Sequence, residues 1–272
     1  MDWGVYRMIM HLIQGDCLKV LPKLPDECVD LIVTDPPYNI SKNDKIVRKG
    51  GKFGFAKDIN LNFGVWDFGK IKPEDYIPEF VRLLKPCGVL VMFYDKLWLG
   101  VIGLWLENEF KFNVRHVGSW IKSNPTPQAR KVKWQDGVEN FIIATKNHGT
   151  GHHYNYKLGQ SPDYFITSVN YEHMHPTQKP LDLIKWIINY WSFKGDVVLD
   201  PFLGSGTTMK ACLELNRSCI GIEIEPKYIQ ITKERLNWGS SLNPDIEWKF
   251  HTEDEIFENS TIFKYENPNM LK

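Results

Sequence analysis

The segment DLIVTDPPYNI, residues 30–40, ends an apolar run on an aspartate and follows it with two prolines and a tyrosine. Proline has no N–H and holds the residue before it extended, so Pro36 and Pro37 stiffen the backbone without adding a donor. What remains is a pair of acceptors, the Asp35 carboxylate and the Pro36 carbonyl, beside the aromatic face of Tyr38. Two fixed acceptors suit a group with two hydrogens to give, namely an exocyclic –NH2. An aromatic ring can stack a planar base for about 1–3 kcal/mol. An aromatic amine is a weak nucleophile because its lone pair is spread into the ring. Accepting both N–H bonds localises that pair, after which positioning and electrostatics carry the attack. An amine paired in a duplex must first be rotated out of the stack. The competing, bland reading is a strand merely terminated by proline.

A second motif, VVLDPFLGSGTT (197–208), reads as a strand with Asp200 at its tip, then a glycine-bearing turn that opens a helix. Phe202, Ser205 and Thr207 belong to that turn, and Gly204 and Gly206 are expected to let the backbone approach a ligand closely. Glu223 closes the following strand, where an acid can grip ribose hydroxyls. A P-loop lysine is missing, because Thr207 and Thr208 follow Gly206 directly, and Met209 stands at the third glycine position of a dinucleotide fingerprint. Asp200 would repel a pyrophosphate and favour a ligand with positive charge. S-adenosylmethionine, with an ammonium and a sulfonium, meets that requirement.

Segments that position these motifs alternate between strand and helix, which predicts an α/β fold with a doubly wound, mostly parallel, Rossmann-like sheet. Strands are expected at 11–16, 29–35, 88–94, 112–122, 138–146, 196–200 and 218–224, with helices at 73–85, 180–193, 207–216 and 226–236. Residues 39–72 and 147–174 break the alternation, the first being too long for an idle connection. From 240 onward the chain is acidic and is expected to run over the surface, leaving 1–238 as the catalytic domain and 239–272 as a tail.

The formal net charge is zero, yet charge is segregated. Lys111 to Lys133 holds six basic residues and no acid, Lys42 to Lys57 holds six against Asp44, and Asp245 onward holds seven acids against three lysines. Each run alone would be a solvated face. Two basic runs, each beside a chemically suggestive motif, predict a polyanion lying across Lys42, Arg48, Lys122, Arg130, Lys131 and Lys133. Five cysteines without a C-x-x-C pair predict a reduced, cytoplasmic chain, and no apolar run approaches membrane-spanning length. His148, His152, His153, His173 and His175 lack partners at ligand spacing, so no metal is expected.

Taken together, TDPPY, HPTQKP (175–180), DPFLGSGTT and the acid of GIEIEP resemble the amino-group DNA methyltransferases, specifically the permuted beta group. In that group the D-P-P-Y element precedes the cofactor loop, as Asp35–Tyr38 precedes Asp200–Gly206 here. The resemblance spans roughly residues 11–238. It implies that Thr177, Gln178 and Lys179 help hold the methionine end of S-adenosylmethionine, that Asp16 lies near its adenine ring, and that Glu223 binds its ribose. It also implies double-stranded DNA as partner, adenine N6 rather than cytosine N4 as target, and target recognition by 147–174 shared with 39–72. A companion restriction endonuclease, a homodimer and association with the nucleoid are further expectations. The rival readings are cytosine N4 transfer, a catalytically silent nucleic-acid-binding copy and, more distantly, transfer to RNA or to a protein glutamine.

Overall fold

The structure is a computed structural model that describes residues 7–38, 45–46, 59–60, 71–127, 134–146, 153–169, 178–240 and 244–258. Its strands are β1 (Met8–Gln14), β2 (Val29–Thr34), β3 (Lys45–Ile46), β4 (Ile59–Asn60), β5 (Leu84–Tyr94), β6 (Asn113–Lys122), β7 (Val138–Thr145), β8 (Tyr164–Thr167), β9 (Val197–Asp200), β10 (Ser218–Glu223) and β11 (Ile246–Thr252). Helices are α1 (Cys17–Val20), α2 (Pro73–Leu83), α3 (Leu99–Phe110), α4 (Leu181–Trp191), α5 (Thr207–Leu215), α6 (Pro226–Leu236) and α7 (Glu253–Glu258).

Among the described residues, nine strands form one sheet in the order β11-β1-β10-β9-β2-β5-β7-β6-β8, while β3 and β4 pair separately. Strand β7 runs antiparallel to β5 and β6; the other neighbours are parallel. Every residue of β2 is buried, as expected of a strand covered on both faces. Side-chain alternation splits the core: Ile32 packs with α2 and α3 on one face, whereas Leu31 and Val33 pack with α4, α5 and α6 on the other. From β9 the chain order runs outward to β10 on one side and from β2 to β5 on the other. That reversal between β9 and β2 is the switch point at whose carboxyl ends such sheets bind ligands.

Three expectations change. Helix α2 stops at Leu83, because Pro86 disfavours helical backbone at Lys85, and β5 begins at Leu84. The acidic tail is not a surface strand of chain throughout: Ile246–Thr252 extends the sheet beside β1, and α7 follows it. Ile246, Trp248 and Phe250 alternate onto the core, and the Lys233 ammonium lies 3.3 Å from the centre of the Phe250 ring. The 147–174 stretch, described from His153 to Val169, contributes β8 to the sheet edge and packs Tyr154 and Phe165 on the core.

Candidate active site

The two motifs meet where the fold reverses. Pairing of Leu31 with Val198 and Ile32 with Leu199 sets β2 against β9, and the Thr34 hydroxyl donates to Asp200 Oδ1 at 3.0 Å. A cavity of about 500 Å3 opens there, lined by Asp16, Asp35, Gln178, Lys179, Asp200, Phe202, Gly204, Ser205, Thr207 and Glu223 among others.

Asp200 is buried, with its oxygens taken by Thr34, by the Phe202 N–H at 3.1 Å and by the Thr208 hydroxyl at 2.6 Å. Burial pushes its carboxyl up to about 6 in spite of those donors. Glu223 Oε2 accepts from the Gly204 N–H and its Oε1 from the Glu225 N–H, both at 2.8 Å. Burial raises its carboxyl to about 7. These two acids hold the glycine turn from either side. Gln178 joins from the opposite wall, its carbonyl accepting from the Ser205 hydroxyl at 3.0 Å. Asp16 caps α1 through a bond from the Leu18 N–H at 3.0 Å, and its own N–H donates to Glu253 of α7 at 2.9 Å.

Gly206 departs from expectation. It does not line the cavity; at φ 80° it caps α5, and a Cβ there would lie 2.7 Å from Thr232 of α6. Its missing side chain admits a helix rather than a ligand. Gly204, at φ 55°, does line the cavity.

At the catalytic end Asp35 Oδ1 accepts from the Tyr38 hydroxyl at 2.6 Å, and the Lys179 ammonium bonds Oδ2. Lys179 also reaches Glu139 Oε2 at 3.1 Å and sits 5.1 Å from the centre of the Phe93 ring. Glu139 Oε1 in turn pairs with Lys122 at 2.6 Å. Burial raises the Asp35 carboxyl against the opposing charge of Lys179. At Glu139 burial also works against the charge, but Lys179 and Lys122 win and hold it below the ordinary glutamate range. Lys122, expected on an open basic face, is therefore turned inward, its side chain 16% exposed. Lys179, expected at the methionine end of the cofactor, is tied to Asp35 and Glu139. Thr177, Lys42, Arg48, Arg130, Lys131 and Lys133 lie outside the described residues.

Sequence reasoning missed Glu139, Thr34, Thr208 and Glu253. Glu139 did leave a signal: it is the acid in VENFIIAT, an otherwise apolar strand next to a basic run that has no acid of its own.

The lining fits S-adenosylmethionine. Carboxylates of Asp16, Asp35, Asp200, Glu223 and Glu225 suit an ammonium, a sulfonium and ribose hydroxyls, and Phe202, Ile224 and Tyr228 supply surface for a planar ring. Among the described residues the one lysine in the lining, Lys179, is already held by two carboxylates. A doubly wound sheet with this cavity at its switch point defines a class I methyltransferase.

A family model described as DNA methylase, N6_N4_Mtase, matches residues 29–234, and the chain belongs to that family. It is 32% identical to the Type II methyltransferase M.HpaI of Haemophilus parainfluenzae, over 85% of this chain and 75% of that protein. The Type II methyltransferase M2.DpnII of Streptococcus pneumoniae is also 32% identical, over 86% and 92%. The crystal structure of an M1.HpyAVI–SAM complex superposes with a TM-score of 0.64 at 29% identity, covering 84% of this chain and all of that one. PvuII DNA methyltransferase, cytosine-N4-specific, shares the fold at TM-score 0.63 and 19% identity, over 97% and 98%. The protein is a DNA methyltransferase with S-adenosylmethionine as its methyl donor.

Proposed function

We propose that the protein methylates the N6 amine of an adenine rotated out of double-stranded DNA, with Asp35 as the catalytic acceptor. The observation that carries this reading is a carboxylate fixed at the carboxyl end of β2, on the wall of the cavity, with Tyr38 bonded to it. Bound S-adenosylmethionine supplies an electrophilic methyl group on sulfur, so that a new N–C bond forms as the C–S bond breaks with its electron pair left on sulfur.

The chain's own residues do the rest. Asp35 and the Pro36 carbonyl accept the two amine hydrogens and localise the nitrogen lone pair. The carboxylate stabilises the positive charge that develops on nitrogen, in a site where water is scarce. One amine proton then leaves along the bond to Asp35 and on to solvent. Tyr38 offers its ring to the base. Glu223 and Asp16 accept hydrogen bonds from the cofactor's nucleoside, while Asp200 and Gln178 keep the glycine turn in place. Arg130, Lys131 and Lys133, with Lys42 and Arg48, are the candidates for phosphate contacts that position the duplex without reading sequence.

Incubation of the protein with unmodified DNA and labelled S-adenosylmethionine, then nucleoside mass spectrometry, tests the reading. N6-methyladenine is expected; N4-methylcytosine would overturn the adenine assignment, and no label in DNA would overturn the whole. A companion endonuclease and a homodimer are further parts of the proposal. Co-purification and light scattering test them.

A further inference from the structure

Asp35 faces a conflict of demand. One of its oxygens accepts from Tyr38 and the other from Lys179, so the target amine must enter at a carboxylate that already carries a hydroxyl donor and a full positive charge. A lysine on that carboxylate also cancels the charge needed to stabilise a developing ammonium.

We propose that Glu139 is a positioning residue that takes Lys179 away from Asp35 when the target amine arrives. The inference rests on the reading of Asp35 as the catalytic acceptor. The geometry makes the exchange short: Lys179 already bonds Glu139 at 3.1 Å, so only its contact with Asp35 must lengthen. The ammonium also lies 5.1 Å from the centre of the Phe93 ring. Glu139 is prepared for the load. Its other oxygen is anchored by Lys122 at 2.6 Å, and Lys122 is itself 5.0 Å from the centre of the Trp120 ring. The four groups form a neutral row: Asp35, Lys179, Glu139, Lys122. The positive charge that develops on the amine nitrogen beside Asp35 pushes Lys179 along that row toward the next anion. A lysine left without that second anion would stay on Asp35, because an unpaired buried ammonium is strongly disfavoured.

The test compares Glu139→Gln, Lys179→Met and the double variant in single-turnover methylation of unmodified duplex DNA that the parent protein methylates. Cofactor affinity and thermal unfolding are measured alongside. Glu139→Gln is expected to lower the single-turnover rate about tenfold or more at nearly unchanged cofactor Kd, since a blocked acceptor acts on the transition state. Removing the lysine as well should recover most of that loss, because nothing then competes for Asp35. A merely structural Glu139 would give the opposite, a double variant no faster than Glu139→Gln, and this would overturn the proposal, as would Glu139→Gln at the parental rate. Should Glu139→Gln unfold, Glu139→Asp carries the comparison, with a smaller loss that Lys179→Met again relieves. Asp35→Ala separates the two levels. If it remains active, the acceptor reading itself falls; if it is inactive while Glu139→Gln is unaffected, only the role of Glu139 falls.

Discussion

Strand β2 carries an ion cluster at each end, built from the same parts. At its start, Asp30 binds the Lys85 ammonium through both oxygens, at 2.9 and 2.8 Å, and a second carboxylate, Asp196, stands nearby. Past its end, Asp35 binds Lys179, with Glu139 as the second carboxylate. What differs is what else the acids hold. Asp30 also accepts the first N–H of β9, from Val197 at 2.9 Å, and Asp196 accepts from Phe193 at 2.7 Å. His153 lies 3.7 and 3.8 Å from the two acids and bonds the Cys87 carbonyl at 3.1 Å. That cluster stitches β2, β5 and β9 to the 153 segment. Although Asp30, His153 and Asp196 approach metal-ligand spacing, the Lys85 ammonium already supplies a cation to Asp30. Asp35 and Lys179 instead line the cavity. An aspartate–lysine pair beside a second carboxylate thus serves cohesion where the carboxylate is spent on backbone, and chemistry where it faces open volume.

The sharpest way to break this contrast is to remove each aspartate. Asp35→Ala should lower methyl transfer by about 1000-fold or more, as loss of a central electrostatic group does, with thermal stability and cofactor Kd little changed. Asp30→Ala should keep the chemistry of the folded fraction but lose about 3 kcal/mol of stability, since it strands Lys85 and the Val197 N–H. Single-turnover rates and denaturant unfolding of both variants check this. An Asp30 variant that stays stable but inactive would erase the distinction.

That contrast was only half legible in the sequence. Asp35 announced itself, because prolines after a strand-end acid are a local signal. The alternation of elements likewise gave the sheet and its switch point. Glu139 was hidden because its partner Lys179 lies forty residues on, and pairing across such a gap leaves no local pattern. Lys122 misled for the same reason: a basic run reads as an outward face until an acid on the neighbouring strand turns one member inward. The tail misled because its charge outweighed the alternation of Ile246, Trp248 and Phe250.

A smaller effect sharpens the chemical end from the cofactor's side. Glu223 has a carboxyl raised to about 7 by burial, so in the free protein it takes up a proton as pH falls through that value. Ribose hydroxyls need the ionised form as acceptor. Binding below pH 7 must therefore expel a proton, and Kd should rise by up to about tenfold per pH unit from there downward. Above pH 8 the carboxylate is ionised and Kd should level off. Calorimetric titration with S-adenosylmethionine between pH 8 and 5.5 measures this. Glu223→Gln should bind more weakly and flatten the curve; an unchanged slope in that variant would assign the proton to Asp200, raised to about 6.

Tyr38→Phe should give the smallest effect, and its comparison with Tyr38→Ala divides the residue's two contributions. Its hydroxyl donates to Asp35 at 2.6 Å, and its ring packs at 5.2 Å, tilted, against Tyr94. Tyr38→Phe removes one of several donors to the carboxylate, and it keeps the ring and the packing. The loss should be about threefold in transfer rate, the size of a single replaceable hydrogen bond of about 0.5–1.5 kcal/mol. Tyr38→Ala also removes the stacking face and should cost the further 1–3 kcal/mol, roughly, that a base gains on an aromatic ring. Fluorescence of 2-aminopurine at the target position reports whether that second loss falls on the rotated base. If Tyr38→Phe proved as damaging as Tyr38→Ala, the hydroxyl would be holding Asp35 in place, and the open end of β2 would depend on a fixed donor just as the stitched end does.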